Sequence, residues 1–94
     1  MIAKQVTICG NTATLQIGGK VKPDRHGDCD PPVSKPRMVR IRGSYRGYEF
    51  LETLIHELTH LAGWHIAEDW VQQFASDLAT VITDPEIEER IHAE

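Results

Sequence analysis

Apolar and polar residues roughly alternate along KQVTIC (4–9) and TATLQI (12–17), and both segments are rich in β-branched side chains, which predicts two strands. Gly10-Asn11 between them predicts a hairpin, and Gly18-Gly19 ends it. The next segment, KVKPDRHGDCDPPVSKPR (20–37), holds four of the five prolines and several turn formers, so it reads as one long irregular loop. Loops of that length inside a compact domain commonly bind something or move. RMVRIR (37–42) alternates bases with Met38, Val39 and Ile41 and predicts a third strand, closed by Gly43-Ser44.

From about Tyr48 the period lengthens to three or four. Leu51, Leu54, Ile55, Leu58, Leu61 and Ala62 make one apolar stripe, Glu49 and Glu52 sit in the first turn where the helix dipole favours acids, and Gly63 is a natural stop. A second helix is expected from about Ala67 to Thr83 with Val71, Phe74, Ala75, Leu78, Val81 and Ile82 inward. Asp84-Pro85 then supplies a cap and first residue for a short third helix. A hairpin and a third strand followed by three helices predict a single α+β domain with the helices packed on a small sheet.

Composition bounds this picture without changing it. The 94 residues, 40% hydrophobic and 26% charged, suit one soluble domain, and no apolar run is long enough to span a bilayer. MIAKQVTICGN lacks the apolar core and cleavage site of a secretory signal, which predicts a cytoplasmic setting. There Cys9 and Cys29 are expected to remain thiols. The net charge of −4 hides an asymmetry: residues 1–48 carry nine Lys/Arg against three Asp, and residues 49–94 one Arg against eleven Asp/Glu. Lys35, Arg37, Arg40, Arg42 and Arg46 form a basic run that either docks on the acidic half or attracts nucleic acid or an acidic substrate.

The chemistry concentrates in HELTHLAGWH, residues 56–65. Histidines four apart share one helix face, so His56 and His60 can aim two ring nitrogens at one ion, and they project nearly opposite the apolar stripe, toward a cleft. Imidazoles suit Zn2+, and a catalytic zinc has three protein ligands and an open position for water. Glu57 is then free to act as general base. The bare H-E-x-x-H pattern is moderately specific; its place in an amphipathic helix sharpens it.

Three residues compete as third ligand. A three-histidine H-E-x-x-H-x-x-G-x-x-H site needs its last histidine at position 66, where this chain has Ile66, and His65 falls one residue short. Glu68 and Asp69 open the second helix, which a short connection folds back against the first. Glu68 lies at the edge of the inward stripe and Asp69 turns a further 100° toward solvent, so Glu68 ranks first, Asp69 second and His65 third.

HELTHLAGWHIAEDWVQQFASDLATVI resembles the active-site helix and following glutamate helix of small gluzincin-type zincin metallopeptidases, including compact phage and bacterial SprT-like proteins. The resemblance implies a zinc site of His56, His60 and Glu68 with Glu57 as base, acting on a peptide or protein substrate. It also implies that the strand before the helix, Arg37–Arg42, binds extended substrate by edge pairing. A non-enzymatic zinc-binding or nucleic-acid-associated module using the basic segment 35–46 is the alternative.

Cys29 in HGDCD is either a small buried group, a thiolate that blocks the metal, or part of a second site with Cys9 and His26. Tyr45 and Tyr48 border the helix, and either phenol can pack or donate to an oxyanion. Trp64 and Trp70 flank the interhelical turn as packing residues.

Overall fold

The computed structural model describes residues 1–93. In chain order these form β1 (Ile2–Ile8), β2 (Asn11–Ile17), β3 (Gly27–Cys29), β4 (Met38–Ile41), α1 (Gly47–Ala62), α2 (Glu68–Ile82) and α3 (Pro85–His92). The architecture is the expected α+β, with one strand more than the periodicity predicts. β3 lies inside the proline-rich segment read as loop; three residues with a glycine among them are too few to display a period.

β1 and β2 pair antiparallel with Ile8 opposite Asn11, so the hairpin turns on Cys9 and Gly10, both at positive φ (51° and 79°). That left-handed pair matches the twist of the flanking strands. The sheet order is β1-β2-β4-β3: β4 inserts beside β2 in parallel and pairs antiparallel with β3 on its other side. Alternation gives the sheet one apolar face. Ala13, Val39 and Ile41 are buried there with Leu61 of α1, and Val6, Ile8, Leu15, Ile17, Phe50, Leu54 and Leu58 pack around them. Each fully buried aliphatic side chain contributes about 1.5–3 kcal/mol.

The fold is layered: sheet, then α1, then α2. α1 contacts all four strands and α2, whereas α2 closely approaches only α1 and α3 among the described residues. The α1 stripe therefore divides. Phe50, Leu54, Leu58 and Leu61 serve the sheet core, while Leu51 and Ile55, rotated away from that row, stay half-buried outside it. The inward set predicted for α2 is too broad. Val71, Ala75 and Ala79 are buried, but Phe74 is 39% and Val81 50% exposed, because an outermost helix needs only a narrow strip against its neighbour.

Gly63 ends α1 as expected, although in extended rather than left-handed conformation, with Ile66 folded over the place where a Cβ would stand. Asp84 caps α3, its Oδ1 accepting from the Glu86 and Ile87 amides, with Pro85 in the first turn. No described helix is long and apolar enough to cross a membrane.

Candidate metal centre

α1 and α2 build the centre between them. His56 and His60, one turn apart on α1, bring their Nε2 atoms to 3.2 Å from each other. Glu68, the first residue of α2, sets Oε1 2.7 Å from His56 Nε2 and Oε2 2.8 Å from His60 Nε2. The short turn through Gly63 makes this approach possible.

Glu57 completes the group. His56, Glu57 and His60 also offer ligand atoms within 4.8 Å of one another. Glu57 is 8% exposed, lines the same cleft as the histidines, and meets no hydrogen-bond donor or cation within bonding distance among the described residues. Two carboxylates therefore face the histidines in different ways. Glu68 touches both rings through a side chain that is 69% exposed, while Glu57 stands buried and unpartnered beside them.

The donor set fits a tetrahedral ion. Zinc–ligand bonds of about 2.0–2.1 Å at tetrahedral angles separate two ligand atoms by about 3.3–3.4 Å, close to the 3.2 Å between the two nitrogens, while the Glu68 oxygens, at hydrogen-bond distances of 2.7 and 2.8 Å from them, would swing out by about half an ångström, which an exposed side chain allows. Two imidazoles and one carboxylate are a common set for a catalytic zinc, with one position left open.

The cleft encloses about 800 Å³. One wall is loop residues 24–26 and β3, the other the polar face of α1, with Glu68 and Gln72 of α2 along the rim. The side of β3 away from β4 is one of the two unpaired edges of the sheet, β1 being the other. Gly27 explains how close the walls come: a Cβ there would stand 2.6 Å from the Arg40 carbonyl oxygen and 3.2 Å from Glu57 Cγ. A bare backbone is what lets β3 approach Glu57.

Burial foremost, then the charges of Glu68 and Asp28, push the Glu57 carboxyl up to about 7, against the opposing pull of Arg25. An acid whose folded pKa lies above its unfolded value adds stability that is complete below about 4.5 and is lost as pH rises to about 7. In metal-free protein this amounts to about 3 kcal/mol. Urea midpoints of metal-free wild type and Glu57→Gln should therefore diverge over that window, the variant being the more stable above pH 7. Parallel curves would show that Glu57 ionises at no cost.

The other candidates separate clearly. His65 is an exposed turn residue outside the cleft, and Asp69 is exposed, its Oδ1 accepting from the Trp70 amide. Cys9, Cys29 and His26 do not assemble into a second site: Cys9 occupies the hairpin turn, Cys29 lies on β3, and both thiols are free. Burial raises the Cys29 thiol, and Cys29 packs against the hydrophobic core. Tyr48 ties α1 to α2, its hydroxyl 3.0 Å from Ser76 Oγ and 3.2 Å from Glu52 Oε2. Tyr45 is the phenol that lines the cleft, hydrogen-bonded to His26 Nδ1, a pairing that no local spacing encodes because the two lie 19 positions apart. Trp64 also lines the cleft, under the Arg37 guanidinium at 5.7 Å, rather than only fixing the turn.

Two expectations for the basic run need correction. β4 is an interior strand bonded on both sides, so Arg37–Arg42 cannot receive a peptide by edge pairing; the free edges belong to β1 and β3, and β3 is the one that lines the cleft. Nor do the bases dock on the acidic half. Arg40 bonds Asp28 and Asp30 at 2.8 Å, Arg37 and Arg46 donate to nearby backbone carbonyls, and Arg42 clasps those of Lys22, Pro23 and Arg25. No protein-family model, curated protein or solved structure matches the chain.

Proposed function

We propose that the chain is a compact zinc-dependent metallopeptidase. The observation that carries this reading is the convergence of His56 Nε2 and His60 Nε2, 3.2 Å apart, each meeting one Glu68 oxygen at 2.7 or 2.8 Å, beside a carboxylate of low exposure with no bonded partner among the described residues. His56, His60 and Glu68 would hold the ion. When bound, zinc supplies a Lewis acid that polarises a carbonyl and lowers the pKa of a neighbouring water.

The chain's own groups do the rest. Glu57 accepts the proton as water adds to the peptide carbonyl and hands it to the departing amine, and a carboxyl lifted by burial holds that proton better than an exposed one. In the His26 tautomer whose Nδ1–H donates to it, the Tyr45 hydroxyl keeps its own proton and is a donor in the cleft for the oxygen on which negative charge grows. An extended peptide fits the open edge of β3 as an added strand, which brings its backbone past Glu57.

The nucleic-acid alternative draws no support from the basic run, whose four arginines are turned to internal acceptors. Zinc-loaded protein is expected to bind one equivalent and to cleave members of a mixed peptide pool, with cleavage abolished by a chelator and restored by zinc. Mass spectrometry of the pool reads this directly. A fully loaded protein that leaves every peptide intact would sink the peptidase reading.

A further inference from the structure

The cleft extends past the metal centre along α1. Glu52 and Glu49 precede His56 by four and seven residues on the same helix face, so they stand about 6 and 10 Å from it along the axis. Both line the cleft. An extended peptide advances about 3.3 Å per residue, which puts these carboxylates about two and three residues from the bond that faces His56.

The charge balance there is one-sided. Asp28, on the opposite wall, is taken by Arg40, and Arg25 is the one Lys or Arg that lines the cleft. Glu52 accepts a hydrogen bond from Tyr48, which holds it in place without neutralising it, and Glu49 has no bonded cation among the described residues. The other end of the cleft is apolar, carrying Trp64 and Ile66. Glu57 opens into the same cavity: its side chain is 8% exposed, its oxygens reach the cleft, and no donor or cation among the described residues bonds to it.

We propose that Glu49 and Glu52 form an acidic subsite that takes a lysine or arginine side chain of an extended peptide, two to three residues from the bond presented to the metal centre. The proposal rests on the peptidase reading for its register, and on the cleft alone for its charge preference.

The test uses alanine-based decapeptides that differ only in a single Lys or Gln walked along the chain. Zinc-loaded wild type should show a kcat/KM ratio of about tenfold in favour of Lys at one position two or three residues from the cut, fading as salt is raised. Glu49→Gln with Glu52→Gln should bring the ratio toward one, and Glu49→Lys with Glu52→Lys should invert it for peptides carrying Glu. Glutamine keeps the Tyr48 hydrogen bond, so loss of folding does not confuse the result. Wild type that cuts Lys and Gln peptides equally would overturn the subsite and leave the peptidase reading intact. If nothing is cut, anisotropy of the labelled peptides on the same proteins decides. A Lys preference that disappears in the double Gln variant upholds the subsite without the peptidase, and equal binding of Lys and Gln peptides refutes it.

Discussion

Glu57→Gln is expected to keep its zinc and lose peptide hydrolysis by about 10²–10⁴-fold, the range over which a positioned general base acts. The substitution preserves shape and hydrogen-bonding capacity, and removes only the ability to take a proton. His56, His60 and Glu68 already converge without Glu57, so metal content should not change. Zinc stoichiometry and kcat/KM measured on one preparation separate the two effects. Loss of zinc together with activity would make Glu57 a ligand. Full activity with full zinc would remove it from the chemistry.

Glu68 carries the second large effect. Glu68→Ala should weaken zinc binding by about 10²-fold or more, since partners that merely orient ligands already cost 10–100-fold. Asp69→Asn and His65→Ala should stay near wild type, because neither side chain reaches the cleft. The same variant should lose most of the thermal stabilisation that zinc gives. A ligand at 100 times its Kd contributes about 2.7 kcal/mol, and weakening the site 100-fold reduces that to about 0.4 kcal/mol. Competition against a chelating dye measures the affinity, and scanning calorimetry the stabilisation. Unaltered affinity in Glu68→Ala would move the third ligand to Glu57 or to a group outside His56–Glu68.

Much of this was legible in the chain because it is encoded locally. The 3.6-residue period set α1 and α2 to within a residue or two, Asp84-Pro85 marked the start of α3, and alternation with a glycine between segments marked the hairpin. His56, Glu57 and His60 follow from helix phase alone. Glu68 required only the further step that the second helix folds back on the first. What the sequence concealed depends on distant partners. β3 is too short to have a period, and its existence depends on β4 offering Ile41, Arg40 and Val39 to Gly27, Asp28 and Cys29. The order β1-β2-β4-β3 is not written in any local pattern, so the strand before α1 reads as an edge although it lies between β2 and β3. Phe74 and Val81 look inward by hydropathy and are half exposed because α2 has one neighbour to cover it rather than two. Tyr45 and His26 meet only because the chain between them passes through β3 and β4.

α2 rests on α1 and α3 but not on the sheet, and its first residue is the one that reaches the histidines. Opening of α2 with α3 as a unit would leave the strand ladder and its apolar face in place, the kind of partial unfolding from which native proteins recover without global collapse. An ion held by His56, His60 and Glu68 would bridge α1 and α2 and clasp that opening. Its escape would then wait on the lifting of a helix, and the lifetime of such a centre would be a property of one interhelical seam rather than of the domain as a whole.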